Sequence, residues 1–189
     1  MTFNDDIKNC LRVLLEGGVF LYPTDTVWGL GCDPSDNKAV EKIFRIKRRQ
    51  ESKSLILLSS GLPMVQRYVR NIPEAVLQII ESSKEPVTII YPGALNLADG
   101  VTAEDGSVGI RITKDKFCLK LITLFQKPIV STSANISGEP SPALFDQISG
   151  EIKGSVDYMV NHRRNDRQLH KPSPVIKIDS YGRISVLRK

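Results

Sequence analysis

The chain has 189 residues, 41% of them hydrophobic and 25% charged, with 26 Lys and Arg against 21 Asp and Glu for a net charge of +5. That composition excludes a disordered chain and a miniature stapled scaffold, because a fold of this length buries roughly 70% of its unfolded surface without disulfides or structural metal. The positive balance favours anionic partners and leaves nucleotide, RNA and plain solubility open. A single domain over residues 1–189 is expected.

A first helix is expected to start near Asn4 or Asp5, either of which can cap it, and to carry Ile7, Leu11, Leu14 and Leu15 until Gly17-Gly18 stops it. A strand follows at Val19 to Tyr22, and Pro23 opens a Thr/Asp/Gly-rich segment, Thr24 to Asp33, that reads as a site loop. Asp36 or Asn37 can cap a second helix burying Val40, Ile43, Phe44 and Ile46. Leu55 to Leu58 reads as a buried strand, Met64 to Val69 and Glu74 to Ser82 as short helices behind Pro63 and Pro73, and Val87 to Tyr91 as a strand.

A long loop, Pro92 to Gly106, leads into strand Val108 to Ile112, and Asp115 can cap a helix through Phe125. Strand Ile129 to Ser133, a short helix around Ala143 to Ile148, strand Tyr158 to Val160 and a hairpin of Val175 to Ile178 with Ile184 to Leu187 complete the chain. Strands alternating with helices give an α/β fold, and the hairpin makes its sheet mixed. The segment Asn161 to Lys171, with Arg163, Arg164, Arg167 and Lys171 against Asp166, reads as a mobile basic loop, either solvated surface or a phosphate-contacting lid.

Cys10, Cys32 and Cys118 are odd in number, widely spaced and without a C-x-x-C pair, as reduced core thiols of a cytoplasmic protein would be. The acidic N-terminus does not resemble a signal peptide, and no apolar run approaches the length of a membrane span. His162 and His170 are the only histidines, which leaves little for a histidine metal site or a serine-histidine triad.

Gly29-x-Gly31 follows a strand but lacks the rest of a dinucleotide fingerprint, and no G-x-x-x-x-G-K-[S/T] occurs. If residues 24 to 27 are extended, Thr24 and Thr26 present two hydroxyls together, either to a small polar ligand or to a turn. With the second helix ending at about Ile46, Lys47 and Arg49 align on extended backbone and, with Lys53, can converge on an anion; the alternative is a basic helix end satisfying the macrodipole. Arg111 points away from Val108, Ile110 and Ile112, beside Ser107, Gly109 and Thr113, toward either a cleft or an open face. The strongest segment is Ser131 to Pro142, where Ser131, Ser133 and Asn135 align by the period of two at the carboxyl end of a buried strand, and Pro140 and Pro142 stiffen the chain around Ser141.

On these residues the sequence resembles the YrdC family, the threonylcarbamoyl-AMP synthases. Tyr22-Pro23-Thr24-Asp25-Thr26-Val27-Trp28-Gly29-Leu30-Gly31 is similar to the family's Y-P-T-[E/D]-T-x-[Y/F]-G-L-G opening, Lys47-x-Arg49 to its K-x-R pair and Ser133-x-Asn135 to its S-x-N pair. The resemblance implies a twisted mixed sheet with a basic concave cleft, and a nucleotidyl transfer that makes threonylcarbamoyl-AMP and pyrophosphate from L-threonine, bicarbonate and ATP. A transferase complex would then use the product to modify tRNA. It further implies that Thr26 and Arg111, with Ser131 and Ser173 beside them, hold threonine. Arg49, Lys53, Ser107, Ser133, Ser141 and Arg188 would line the ATP, and Lys47, Arg49, Ser133 and Asn135 form the catalytic pairs. Magnesium is expected on the triphosphate, through phosphate oxygens and water, with no protein metal cluster.

The chain departs from the family pattern at Gln50, Trp28 and Lys171-Pro172-Ser173-Pro174, and ending just after Arg188 it reads as a short form without a further C-terminal domain. The alternative function is a double-stranded RNA or ribosome-binding module in which the same cleft tracks phosphates. A carbamoyl-transfer domain acting on another small substrate would share the fold.

Overall fold

The computed structural model describes residues 2–49, 54–83, 85–169, 171–179 and 181–188. Helix α1 (Phe3–Leu15) is capped by Thr2 rather than Asn4 or Asp5: the Thr2 hydroxyl accepts from the Asp5 N–H at 3.2 Å, and the Asp5 carboxylate takes the Thr2 N–H at 2.8 Å. Its buried stripe runs through Ile7, Cys10, Val13 and Leu14, whereas Leu15 is 73% exposed. Strand β1 (Phe20–Tyr22) pairs antiparallel with β2 (Gly29–Gly31), a strand inside the segment that reads as loop. A Cβ at Gly31 would lie 2.8 Å from both the Phe20 and Tyr22 rings, so glycine is what lets β2 lie under them.

Helix α2 (Asn37–Lys47) starts on Asp36, whose carboxylate accepts from the Lys38 and Ala39 N–H groups, and stops where Arg48 turns left-handed at φ +48°. Then follow β3 (Ile56–Ser59), α3 (Leu62–Val65), α4 (Glu74–Ser82), β4 (Thr88–Tyr91), β5 (Val108–Ile112), α5 (Lys116–Phe125) and β6 (Ile129–Ser133). Asp115 caps α5 as expected, accepting from Cys118 N at 2.9 Å. Beyond β6 only a short 3₁₀ turn, Phe145–Gln147, stands where the helix around Ala143 to Ile148 is expected. The helix there is α6 (Gly150–Ser155), capped by Ser149 and followed by β7 (Tyr158–Met159), β8 (Val175–Ile178) and β9 (Ile184–Arg188).

Among the described residues the strands form one sheet in the order β7-β1-β2-β6-β3-β5-β4-β8-β9. It is mixed: β1/β7, β3/β5 and β4/β8 run parallel, and the other neighbours antiparallel. Helices cover it, α1 packing on α5 with the Phe3 and Phe117 rings edge to face at 5.6 Å. Leu57, Leu58, Leu121 and Ile122 are wholly buried, each contributing about 1.5–3 kcal/mol on the area scale. The three cysteines are free and buried in this core. No helix among the described residues is long and apolar enough to cross a membrane.

The basic segment after β7, expected to be mobile, is bonded to the fold from Asn161 to Arg167. The buried Asp6 carboxylate accepts from the Asn161 and His162 N–H groups at 3.0 and 2.8 Å, and the His162 ring stacks on Phe117 at 5.8 Å. Arg164 donates to the Met159 and Val160 carbonyls and lies over the Phe145 ring, while Arg167 pairs with Asp146 at 2.7 Å. Arg164 is thus held within the fold, whereas Arg167 meets Asp146 at the surface, where both side chains are more than half exposed.

Candidate functional site

The register of the sheet brings β2, β3, β5 and β6 together around one cleft of about 280 Å³. Ser133 stands opposite Gly29, Ser131 opposite Ile56, and Arg111 opposite Leu58. Thr26 enters from the turn after β1, Arg49 from the end of α2, Ser141 from the segment after β6, and Ser173 and Arg188 from the two sides of the β8–β9 hairpin. Glycine at position 29, with Thr132 O only 3.2 Å from where its Cβ would be, keeps the floor of the cleft open beside the serine row.

Arg111 lines this cleft and is 5% exposed. Its Nη2 is 2.9 Å from Asp25 Oδ1 and its Nη1 donates to Ser173 Oγ at 3.3 Å, while the buried Nε has no hydrogen-bond partner. Asp25 Oδ2 accepts from Thr113 Oγ1 and the Lys114 N–H. Charge is thus balanced, but neither Arg111 Nε nor Asp25 Oδ1 makes a hydrogen bond, so the buried pair is under-satisfied as it stands. The Thr24 and Thr26 hydroxyls lie 3.1 Å apart beside it, in a turn rather than on extended backbone. A second cavity of about 480 Å³ meets the cleft here, sharing Thr26, Pro172 and Ser173 with it.

The same cleft is lined by Ser131, Thr132 and Ser133 of β6, with Arg49, Ser141 and Arg188. Arg49 donates to the Ser54 carbonyl at 2.7 Å, and burial lowers its pKa from the ordinary value. Arg188 holds the Ser173 carbonyl with Nε and Nη2 at 3.0 and 2.8 Å, fastening the hairpin to the Pro172–Ser173 segment. Hydroxyls, an amide-rich strand end and guanidinium groups suit a polyanionic ligand.

Three expected residues stand apart from this lining. Lys47 does not align with Arg49: it belongs to α2, is 2% exposed, and donates through Nζ to the Ser133 and Asn135 carbonyls, the latter at 2.8 Å. Burial, and then the Arg49 charge, lowers it to about 8. Asn135 leaves the serine row because β6 ends at Ser133; its Nδ2 donates to the Ile136 and Glu139 carbonyls, and its buried Oδ1 has no partner. Ser107 is buried and donates to Asp105 at 2.5 Å, outside the cleft. Lys53 and Gln50 lie outside the described residues. No cluster of metal-ligating side chains occurs among the described residues.

Asp25 is the residue that pattern reading missed. A carboxylate in a Thr-rich turn carries no spacing signal, but an arginine whose strand neighbours are all core residues requires an anion, and Asp25 is the acid nearest the expected ligand turn.

The family model of Sua5/YciO/YrdC, described as "Telomere recombination", matches residues 12–189. The threonylcarbamoyl-AMP synthase of Hahella chejuensis is 37% identical over 171 residues, covering 89% of this chain and 91% of that one. The Xanthomonas campestris protein of the same name is 34% identical, covering 82% and 89%. Among solved structures, P. abyssi Sua5 complexed with L-threonine superposes with a TM-score of 0.85 at 27% identity over 96% of this chain, which spans 53% of that one. E. coli YciO shares the fold, with a TM-score of 0.82 at 22% identity over 97% of this chain and 88% of its own. Model, relatives and fold agree over nearly the whole length, and the chain belongs to the Sua5/YciO/YrdC family.

Proposed function

We propose that the cleft joins L-threonine, bicarbonate and ATP into threonylcarbamoyl-AMP, releasing pyrophosphate and water. The activity is nucleotidyl transfer in the service of tRNA modification. The observation that carries it is what one cleft brings together: the Arg111 guanidinium and the Thr26 side chain, with a serine row and two further arginines. Arg111 suits an amino-acid carboxylate, and the serine row with Arg49 and Arg188 suits a triphosphate. The names of the relatives, and the threonine in the P. abyssi structure, support the same substrates.

In this reading the threonine amine condenses with bicarbonate to a carbamate, losing water, and a carbamate oxygen attacks the α-phosphorus as the bond to pyrophosphate breaks. The carbamate is a weak nucleophile approaching a crowded anion, so positioning and charge neutralisation supply the rate. Arg49 and Arg188 face the phosphates, Ser133 and Ser141 supply hydroxyl donors to them, Ser131 stays with the threonine, and Lys47 acts from behind by holding the Ser133 and Asn135 carbonyls. Magnesium arrives with ATP as part of the substrate. A tRNA-modifying transferase complex takes the product onward.

The test is incubation with ¹³C-bicarbonate, ATP and L-threonine, followed by mass spectrometry. Threonylcarbamoyl-AMP carrying the labelled carbon is expected; its absence with folded, ATP-binding protein contradicts the reading.

A further inference from the structure

The hydrogens of the Thr24–Val27 turn can be accounted for one by one. Thr24 Oγ1 has a single hydrogen, and the Val27 carbonyl 2.8 Å away can only accept, so that hydrogen is spent there. The Thr26 N–H donates to the same oxygen at 3.0 Å. In the contact of 3.1 Å between the two hydroxyls Thr24 is therefore the acceptor and Thr26 the donor. Thr26 Oγ1, which lines the cleft, is left with lone pairs alone to offer a ligand.

The turn is held from behind by one side chain. Arg163, itself at φ +67°, donates through Nη2 to the Thr24 carbonyl at 2.8 Å and pairs through Nη1 with Asp115 at 2.5 Å. Asp115 caps α5, and the two residues preceding Arg163 are bonded to Asp6 in the first turn of α1. The Thr24 backbone is thus tied to the starts of two helices. That arrangement carries a cost, since a non-glycine residue at positive φ needs the surrounding structure to hold it.

We propose that Thr24 and Arg163, neither of which lines the cleft, are positioning residues that fix Thr26 Oγ1 as a hydrogen-bond acceptor toward the amino-acid substrate. This rests on the function proposed above. A substrate atom at Thr26 must then carry hydrogen, as the amine or side-chain hydroxyl of threonine does. A carboxylate finds no donor there and is left to the Arg111 guanidinium, which lines the same cleft. The polarity of one hydroxyl sets which way round the amino acid lies.

Steady-state KM values for L-threonine and for ATP, with melting temperatures, in wild type, Thr24→Val, Thr24→Ser and Arg163→Ala test this. Thr24→Val is expected to raise the threonine KM roughly tenfold or more, the scale of one lost hydrogen bond, with the ATP KM within about twofold. Thr24→Ser, which keeps the hydroxyl, is expected to restore most of the loss. Arg163→Ala is expected to raise the threonine KM about threefold to tenfold and serves if Thr24→Val does not fold. An unchanged threonine KM in a folded variant, a parallel rise for ATP, or failure of Thr24→Ser to rescue overturns the proposal. A wild-type protein that makes no product from threonine overturns the function and this inference together; a threonine-using wild type with an unchanged Thr24→Val overturns this inference alone.

Discussion

Asp25 Oδ1 lies 2.9 Å from Arg111 Nη2, with the two side chains 9% and 6% exposed. The pair fastens the turn after β1 to β5, and Thr113 and the Lys114 N–H complete the carboxylate's other side. Charge is balanced, yet Arg111 Nε remains without a partner. A buried pair of this kind contributes little net stability while intact, but removing one partner strands the other.

Asp25→Asn is therefore expected to lower stability by about 3–5 kcal/mol, as breaking buried pairs does. The threonine KM is expected to rise more than the ATP KM, because the turn carrying Thr26 loses its anchor. Denaturant melts and the two KM values check both parts, and a variant with wild-type stability would show that the pair is not buried in solution.

Ser133→Ala with Asn135→Ala removes a cleft hydroxyl and the side chain whose Oδ1 is an orphaned acceptor. Turnover is expected to fall by roughly a hundredfold or more, the scale of losing preorganised donors at a phosphoryl centre. Circular dichroism should show the fold retained. Full turnover in the double variant would remove the β6 end from the site.

Lys47 gives a pH signature. Burial, then Arg49, lowers it from 10.5 to about 8, so between those values the unfolded chain holds more protons than the folded one, and stability rises with pH across that window. Lys47→Met should abolish that rise and, by leaving the Ser133 and Asn135 carbonyls short of donors, cost about 1–3 kcal/mol at neutral pH. Chemical denaturation at several pH values measures both.

Asp6 acts at the acid end. Burial alone would raise its carboxyl, but hydrogen bonds from Asn161, Tyr158 and His162 outweigh it and hold the group below its ordinary 3.8. The folded value is depressed, so its stabilisation is complete above 3.8 and lost as pH falls through the folded value. Asp6→Asn should be less stable at neutral pH and flatter in its acid unfolding, with the 161–163 segment opening first in hydrogen exchange.

Much of this was legible in the sequence because helix periodicity and caps are local. Asp36 and Asp115 cap α2 and α5 where the pattern put them; the two-residue period brought Ser131 and Ser133 to the cleft, but Thr132 lines it as well and Asn135, beyond the end of β6, does not. Strand β2 was hidden because Gly29-Leu30-Gly31 has no alternation, its glycines answering to the Phe20 and Tyr22 rings rather than to a strand pattern. Helix α6 was hidden by two glycines in six residues, with only the Ser149 cap to announce it. Lys47 and the 161–171 arginines were misplaced for one reason: a cation's partner lies wherever the fold brings an acceptor, and the carbonyls of residues 133 and 135, Thr24 O, and Asp115 are all distant in sequence.

The central claim is that one cleft joins three substrates, and pyrophosphate release with ATP, L-threonine and bicarbonate, each omitted in turn and with L-serine in place of threonine, tests it most directly. Release that requires all three and falls with serine is the expected result. Release from ATP regardless of threonine or bicarbonate would contradict the account.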